Sequence, residues 1–414
     1  MVRLKGFKKL TLIDTALERF WKKLRPTRLE PHLIPLDRAL DRVTAALIIA
    51  ESDLPSFDRS TMDGYAIKAK DTFGASKFKP KCFQLVYNEK IQHGETIEIW
   101  TGNPLPKGAD TVVRLENTKK EEDKVDVLVA LAPGTNVSKK GEDAKKGHCV
   151  IEAGIRLNPY HLGLLAALGV RKVTVVKKPK VALLATGNEL VEFGKMLKQN
   201  QVVEVNSIIL SGLCSQLGAE AITLGIAQDD ANEIEKRIKR GLAEADIVIT
   251  TGGTSVGAHD LVPKVIERME SHSIVAHGIA LRPGMPTALA VVQGKPVIIL
   301  SGNPVAAAIG FEVFVRPLIH KLMGTHYESR VKIQAKLTRK IAGVLGRRVF
   351  LRVEVFEKDG EFFAEPIRIK GSSIISTMTR ANGYIIIPEN REGLKEHELV
   401  TVILFDTLGG MKSV

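Results

Sequence analysis

Hydrophobic and polar positions near the start of the chain follow a helical repeat. Apolar residues recur at steps of three and four, at Leu10, Ile13, Leu17, Phe20, Trp21 and Leu24. This spacing predicts an amphipathic helix that ends before Pro26. A second helical stretch is predicted from Leu36 to Val43. At 158–169 the residues NPYHLGLLAALG offer an Asn cap, a Pro in the first turn and a closing Gly, which predicts another helix.

Two other parts of the chain show β patterns. From about residue 66 to 155, short runs of Val, Ile, Leu and Thr are separated by Gly, Pro and Asn, which predicts a β-rich insert with hairpins. Beyond about residue 328 the pattern is β again. There KDGEF at 358–362 indicates a two-residue hairpin, and YIII at 384–387 indicates a buried strand.

From residue 180 onward, apolar strands alternate with helical patterns. The strands are VALLAT, AITLGIA, DIVITT and VIIL, and the helices lie around NSIILSGLCSQLG, ANEIEKRIKRGLAEA, the segment from His259, and NPVAAAIGFEVF. This alternation predicts a parallel sheet wound by helices on both faces. The expected fold class is therefore multidomain α/β with a doubly wound domain.

Length and composition narrow the class of protein. The 414 residues predict about three domains, and 44% hydrophobic with 26% charged residues excludes collagen, a disulfide knot and wholesale disorder. The basic first segment has no apolar export signal, and no window approaches the ~18 apolar residues of a membrane span. The three cysteines, Cys82, Cys149 and Cys214, are too scattered for a disulfide framework or a C-x-x-C metal site. A cytoplasmic protein without a membrane partner is expected.

The charge balance favours an anionic partner. Sixty Lys and Arg against forty-seven Asp and Glu leave a net charge of +13. Basic residues are spread along the chain and aromatic residues are only 5%, which disfavours nucleic acid as the partner. A small polyanionic substrate fits this composition better.

Three strand-to-helix junctions carry unusual residues, and ligands of open parallel sheets bind at such junctions. In TTGGTSVG at 250–257, a pair of glycines can adopt positive φ and hydroxyls follow them, which predicts an anion cradle. In SGNP at 301–304, a turn leads into a helix whose positive terminus faces the same edge. The predicted ligand-binding residues are Gly252, Gly253, Thr254, Ser255, Gly302, Asn303 and Pro304.

Three acids follow strands at the same predicted edge. TGNEL at 186–190 delivers Glu189, and Asp229 and Asp260 follow later strands. Either Asp could instead only cap the helix that it precedes. Carboxylates beside a phosphate cradle would repel the substrate unless a cation intervenes, and Mg²⁺ commonly takes one or two carboxylates plus phosphate oxygens. We therefore expect a Mg²⁺ site at Glu189, Asp229 and Asp260.

Polar loops of the N-terminal half form a further group. They are SFDRSTMDGYAI around Asp63, WTGNPLPKGADTVV around Thr101 and SKKGEDAKKG around Asp143. Each is rich in turn residues, and Asp-Gly in a turn is more often hairpin chemistry than catalysis. The residues alone leave the role of these acids open.

These motifs together resemble one known family. DGYA, TGNPLPKGAD, KKGED, TGNEL, TTGGTSVG and SGNPVA, in this order, resemble the molybdopterin molybdenumtransferase family, the MoeA proteins related to the gephyrin E domain. The resemblance implies four regions: an elongated linking domain at 1–62 and 145–178, a β-rich insert at 63–144, an α/β molybdopterin-binding domain at 179–327, and a C-terminal β-barrel at 328–414. It also implies a homodimer with active sites shared between subunits.

The resemblance further implies a reaction and residue roles. Adenylylated molybdopterin and molybdate, or tungstate, would give molybdenum cofactor and AMP with Mg²⁺ or a similar cation. The positions that match functional residues of the family are Asp63, Thr101, Asp143, Glu189, Asp229 and Asp260. Alternatives from the same resemblance are a molybdopterin adenylyltransferase and a non-catalytic scaffold.

The sequence departs from the family pattern beside an expected anion contact. Many relatives read PGKP where this chain has RPGMP at 282–286, so Met285 replaces a lysine and Arg282 is the remaining cation. Arg282 is therefore expected to bind molybdate. Many relatives also read PGNP where this chain has Ser301, a change that keeps the Gly-Asn-Pro turn.

Overall fold

The structure is a computed structural model that describes residues 7, 9–254, 261–325, 330–367, 373–405 and 412–413. Contacts divide the chain into two compact units, Met1–His32 with Val176–Val414, and Leu33–Val175. The four domain boundaries expected above stay a prediction. Within the described residues, every helix is too short or too polar to cross a membrane.

The helices and strands are as follows. The α-helices are α1 (Ile13–Leu24), α2 (Pro159–Ala167), α3 (Asn206–Gln216), α4 (Ala231–Glu244), α5 (Leu261–Ile266), α6 (Pro304–Gly310), α7 (Arg316–Met323) and α8 (Ser376–Arg380). The first strands are β1 (Pro31–Pro35), β2 (Ile48–Ile49), β3 (Arg59–Ser60), β4 (Gly64–Ile67), β5 (Lys81–Leu85), β6 (Glu95–Ile99), β7 (Thr111–Arg114), β8 (Thr118–Glu121), β9 (Lys124–Val127), β10 (Val137–Ser138), β11 (Cys149–Ile151) and β12 (Lys172–Val176). They are followed by β13 (Lys180–Thr186), β14 (Leu190–Val191), β15 (Val202–Val203), β16 (Glu220–Ala227), β17 (Ile247–Thr251), β18 (His272–His277), β19 (Leu281–Arg282), β20 (Ala288–Val292) and β21 (Lys295–Leu300). The last are β22 (Lys332–Leu337), β23 (Ile341–Ala342), β24 (Arg348–Lys358), β25 (Glu361–Pro366), β26 (Gly383–Ile387), β27 (Gly393–Leu394), β28 (Leu399–Leu404) and β29 (Lys412–Ser413).

The predicted first helix is confirmed, with a later start. Thr11 is extended, because its N–H donates to Gly278 and its carbonyl accepts from Ala280, so α1 begins only at Ile13. The helix ends where Arg25 takes a left-handed conformation, with φ 47°.

The predicted helix from Leu36 to Val43 is wrong. Only a 3₁₀ turn forms at Leu36–Arg38. Asp41 then adopts a positive φ of 60°, and the Thr44 N–H donates to the Ile155 carbonyl. These contacts with distant residues replace the hydrogen bonds that a helix would make.

The α/β sheet of the first unit has the strand order β16-β13-β17-β21-β20-β18. The first four strands are parallel, as predicted, while β20 and β18 add an antiparallel edge that the sequence pattern did not indicate. On one face, Ala182, Leu184 and Val248 share a core with Ile234 and Ile238 of α4. The helix α3 contacts β13 and β16, and it also packs against α6.

The strand order sets where a ligand can enter. The chain leaves β13, adds β16 on one side, and then returns to add β17 and β21 on the other. Connections therefore diverge between β13 and β17, and the crevice beyond their carboxyl ends is the usual ligand position of such sheets.

A closed five-stranded barrel follows the α/β sheet. Its strands close in the order β24-β25-β22-β28-β26, because β26 also pairs with β24. Between β24 and β25, Asp359 and Gly360 have φ values of 53° and 77°, so the predicted hairpin is confirmed. The parallel pairing of β19 with β24 joins the barrel to the α/β domain.

The second unit contains the β-rich insert. Its six-stranded sheet has the order β7-β4-β6-β5-β9-β8 and buries Tyr65, Ile67, Phe83, Val113 and Val125 among other residues. In the same unit, α2 begins with the predicted cap: the Asn158 side chain accepts from the His161 N–H, and Pro159 takes the first helical position.

Candidate active site

The carboxyl ends of the parallel strands border one cavity of about 730 Å³. Predicted residues from four separate loops line it: Glu189, Asp229, Gly252, Gly253, Thr254, Gly302, Asn303 and Pro304. Ser255 and Asp260 lie outside the described residues. The sheet edge thus assembles the predicted glycine loops and two of the three predicted metal-binding acids.

The glycine loop after β17 has the conformation that its sequence predicts. Gly252 and Gly253 have φ values of 87° and 60°. A Cβ atom at Gly252 would lie 2.4 Å from the Thr186 carbonyl oxygen, and one at Gly253 would lie 2.6 Å from Val262 Cγ2. Glycine is therefore required at both positions by backbone conformation and by close packing.

Some donors of this loop are already used. The Gly252 N–H donates to the Leu300 carbonyl at 3.2 Å, and the Thr254 hydroxyl donates to the Pro286 carbonyl at 2.7 Å. The N–H groups of Gly253 and Thr254 donate to none of the described residues. An anion cradle here would therefore use those two N–H groups rather than the Thr254 hydroxyl.

The SGNP turn brings a helix start to the same cavity. The helix α6 begins at Pro304 with Asn303 as its N-terminal cap residue, as predicted, although the Asn303 side chain makes no capping hydrogen bond. An ideal Cβ on Gly302 would be 3.5 Å from the Gly252 Cα, so the two glycine turns lie close together.

The two acids of the cavity are held by adjoining loops. The Asp229 N–H donates to the Asn188 side-chain oxygen at 2.9 Å, and the Gly187 N–H donates to the Ala227 carbonyl at 3.1 Å. The carboxylate of Glu189 lies over Gly187, where a Cβ would come within 2.8 Å of both its oxygens. These bonds fix the loops that carry Glu189 and Asp229 next to each other.

A capping role for Asp229 is excluded. The cap of α4 is its neighbour Asp230, whose side chain accepts from the Glu233 N–H at 2.8 Å. The Asp229 carboxylate accepts no hydrogen bond from any described residue. It therefore lines the cavity without a structural bond of its own.

The donor atoms of the cavity fit a hard cation. Mg²⁺ prefers oxygen ligands and commonly binds through one or two carboxylates together with phosphate oxygens, which Glu189 and Asp229 could complete with a substrate. Among the described residues there is no group of three or more His, Cys, Asp or Glu side chains that could hold a metal ion by itself. A cation here would thus depend on oxygens of the bound substrate.

The second unit gathers the polar loops around Asp63. The Thr101 N–H and hydroxyl both donate to Asp63 Oδ1, at 2.8 and 2.7 Å. These two bonds hold the pKa of the exposed Asp63 carboxyl below its usual value, and the bond from the Thr101 backbone N–H has the larger effect. Asp63 and Thr101 were both predicted, and they form one hydrogen-bonded pair.

The KKGED loop with Asp143 is tied to the same group by residues that the motifs did not single out. Asp58 accepts hydrogen bonds from the Lys140 N–H and the Lys139 ammonium, each at 2.8 Å. Ser60 exchanges backbone bonds with the TGNP loop at Asn103 and Gly102. The Asp143 carboxylate is exposed and bonds to none of the described residues. The only feature of the sequence that could have pointed to Asp58 is its position in the SFDRSTMDGYAI segment, five residues before Asp63.

Arg282 lines a separate cavity of about 510 Å³. Met285, Arg347 and Arg352 also line it, and it shares Ser301 and Asn303 with the first cavity, among other residues. The pairing of β19 with β24 brings these arginines together, although they come from distant parts of the sequence. The space is cationic, which suits a small oxyanion.

The two neighbouring arginines of β24 differ in their partners. Arg348 forms ion pairs with Asp14 at 2.7 Å and Glu389 at 3.0 Å, so its charge is already matched. Arg352 is buried, which lowers the pKa of its guanidinium, and its Nε donates to the Thr377 hydroxyl at 3.1 Å. Arg347 and Arg352, rather than Arg348, thus line the space beside Arg282.

The large cavity also has acceptors that the sequence motifs did not reveal. Glu204 and Asn206 lie at the start of α3 and are 8% and 6% exposed. Their only sequence signal is a polar pair at the start of a predicted helix, with Glu204 just before the NSIILSGLCSQLG segment and Asn206 as its first residue. Such a pair usually serves as a cap, so it would not have indicated a site.

Three family models match successive parts of the chain. The MoeA N-terminal region (domain I and II) matches residues 11–169, the "Probable molybdopterin binding domain" matches residues 182–321, and the MoeA C-terminal region (domain IV) matches residues 334–405. These matches cover both units and the barrel.

Named relatives span nearly the whole chain. A Methanocaldococcus jannaschii protein named for molybdopterin biosynthesis is 38% identical over 379 residues, 90% of this chain and 91% of the relative. The Bacillus subtilis molybdopterin molybdenumtransferase is 32% identical over 387 residues, 91% of this chain and 90% of the relative. The crystal structure of a molybdopterin biosynthesis MoeA protein from Pyrococcus horikoshii OT3 has a TM-score of 0.82 at 34% identity, covering 96% of this chain and 100% of that chain.

The motif resemblance, the fold and the whole-length matches agree. The glycine loop lies at the edge of the domain that matches the molybdopterin-binding model, and the barrel coincides with the C-terminal model. The chain therefore belongs to the molybdopterin molybdenumtransferase family, the MoeA proteins, and is an enzyme of molybdenum cofactor biosynthesis.

Proposed function

We propose that this enzyme inserts molybdate into adenylylated molybdopterin and releases AMP. The observation that carries the proposal is the single cavity in which the Gly252–Gly253 loop, the start of α6, Glu189 and Asp229 meet. The pyrophosphate that joins pterin to AMP is acceptor-rich and negatively charged. Backbone N–H groups beside carboxylates that can hold a cation suit that group.

The N–H groups of Gly253 and Thr254, which donate to none of the described residues, would hold a phosphate of the substrate. Such donors are fixed by the fold, so they need no reorganisation when charge develops on the leaving AMP. Glu189 and Asp229, with Asp260 as the third predicted ligand, would hold Mg²⁺. When bound, Mg²⁺ supplies charge neutralisation for the leaving phosphate.

The cationic cavity beside Arg282 would hold the oxyanion. Molybdate is a dianion, and the guanidinium group of Arg282 can offer paired N–H donors to its oxygens, while Arg347 and Arg352 line the same cavity and add positive charge. Because Ser301 and Asn303 line both cavities, an oxyanion held here lies next to the proposed substrate cavity. Tungstate has the same charge and shape and is proposed as a substitute for molybdate.

The acids of the second unit would act in a homodimer. We propose that Asp63, Thr101 and Asp143 of one subunit complete the cavity of the other. Support comes from the exposure of Asp63 and Asp143, and from the two hydrogen bonds by which Thr101 stabilises the Asp63 carboxylate. The free thiols of Cys82, Cys149 and Cys214 agree with the proposed cytoplasmic location.

The test is AMP release by the purified enzyme. Adenylylated molybdopterin is supplied with molybdate and Mg²⁺, and AMP and the molybdenum content of the pterin product are measured. We expect both to require the oxyanion and the cation. Failure to release AMP with any metal that is tried would overturn the enzyme proposal in favour of a scaffold. Consumption of ATP with free molybdopterin would favour an adenylyltransferase.

A further inference from the structure

The start of α3 presents buried hydrogen-bond acceptors to the large cavity. Asn206 is 6% exposed, and its side-chain nitrogen donates to the Gly302 carbonyl at 2.9 Å. Its Oδ1 is buried and accepts a hydrogen bond from none of the described residues. A buried polar atom without a partner is costly, and Asn206 lines the cavity, so a ligand bound there is the expected source of the missing donor.

Glu204 adds a second acceptor on the same wall. It is 8% exposed, and its Oε1 accepts from the Ser207 N–H at 2.9 Å. Its other oxygen accepts from no described donor, and no described cation pairs with it. Capping of α3 accounts for one oxygen of Glu204, but it accounts neither for the second oxygen nor for Asn206 Oδ1.

The cavity is therefore polarised. The loop after β17 offers the N–H groups of Gly253 and Thr254, whereas the side chains before and at the start of α3 offer oxygens of Glu204 and Asn206. Phosphates carry acceptors at neutral pH and would be repelled by Glu204. The α3 side must face a part of the ligand that donates hydrogen bonds.

We infer that Glu204 and Asn206 bind the amino-substituted pyrimidine edge of the pterin and so select the pterin ring of the substrate. This inference rests on the proposed function. A pterin presents two neighbouring donors, the ring N3–H and the 2-amino group. Adenine instead pairs its amino donor with the acceptor N1. Two acceptors on one cavity wall match the pterin edge, whereas adenine N1 would face another acceptor there.

Stable pteridines test the inference without catalysis. Fluorescence titration of the full-length enzyme compares 6-hydroxymethylpterin with 6-hydroxymethyllumazine, in which a carbonyl oxygen replaces the 2-amino group. We expect the pterin to bind about 10–100-fold more tightly, because a site built around buried acceptors rejects a ligand that lacks the donor. Equal binding of the two probes, or no binding of the pterin, would overturn the inference.

Glu204→Gln provides the matched variant. Its amide oxygen can still cap Ser207, but its nitrogen turns an acceptor into a donor. We expect the preference for pterin to fall about tenfold while AMP binding changes less than twofold. Glu398→Gln in the barrel is the control, since Glu398 also accepts a backbone N–H, from Lys395 at 2.8 Å, outside both cavities.

Each outcome of the variant is decisive. If Glu204→Gln weakens AMP as much as pterin, adenine occupies this wall and the inference is wrong. If the variant does not fold, the preference of the wild-type enzyme decides alone. Pterin selectivity without AMP release would refute the proposed function but keep the inference, and AMP release without selectivity would do the reverse.

Discussion

Thr101 donates two hydrogen bonds to a single oxygen of Asp63, from its N–H at 2.8 Å and from its hydroxyl at 2.7 Å. Both donors stabilise the ionised carboxylate, so the pKa of Asp63 lies below its ordinary value. The stabilisation is therefore present above the ordinary pKa of about 4 and is lost as pH falls through the lowered value. Asp63 therefore stays ionised to a lower pH than an ordinary aspartate does.

We expect Thr101→Val to raise the pKa of Asp63 part of the way to its ordinary value, because the hydroxyl donor is lost and the backbone donor stays. Carboxyl NMR titration measures the change. Thr101→Ser keeps both donors and should leave the pKa as in the wild type. An unchanged Asp63 pKa in the valine variant would show that the hydroxyl does not hold the carboxylate.

Asp229 and Asp230 should separate activity from stability. Asp230→Ala removes the cap of α4 and should lower the free energy of unfolding by about 1 kcal/mol with little loss of AMP release. Asp229→Asn should leave unfolding unchanged but reduce AMP release or Mg²⁺ affinity by about 10–100-fold, since the charge that would hold the cation is gone. Denaturant unfolding and Mg²⁺ titration of both variants measure this. The opposite pattern would make Asp229 structural.

Mixing inactive subunits tests the proposed shared site. In a heterodimer of Asp63→Ala and Glu189→Ala subunits, one of the two sites would inherit both wild-type residues. We therefore expect mixing to restore about a quarter of wild-type activity or less, given random pairing of a C₂ dimer. Light scattering and mass spectrometry establish dimers and subunit exchange. Proven exchange without rescue would mean that Asp63 and Glu189 act in the same subunit or in different sites.

Arg282 should control the oxyanion requirement. Arg282→Ala should raise the molybdate concentration for half-maximal activity about 10–100-fold, the cost of losing a charged hydrogen-bond donor, without altering affinity for the adenylylated pterin. Met285→Lys should partly compensate, because it returns a cation to the same cavity. Arg240→Ala, on the exposed side of α4, is the control. An unaltered molybdate response in Arg282→Ala would place the oxyanion elsewhere.

Features that depend on a few neighbouring residues could be read from the sequence. Gly252 and Gly253 adopt the positive φ expected of a paired-glycine turn, and Asp359-Gly360 forms the expected hairpin. Backbone sterics and hydrogen bonds within one turn determine such features. The order of strands and helices in the α/β domain followed from hydrophobic periodicity for the same reason, because each period spans only a few residues.

Features that depend on distant contacts required the folded chain. The segment after Leu36 has a helical pattern, yet the bond from the Thr44 N–H to the Ile155 carbonyl prevents a helix. Asp229 and Asp230 are equivalent as sequence, and only the bond from the Glu233 N–H distinguishes the cap from the cavity residue. Asn206 became a site residue because its side chain reaches Gly302, 96 positions away, and leaves one oxygen buried without a partner. Sequence spacing carries no record of such contacts, since the strand order and loop packing that create them form only when the whole sheet is assembled.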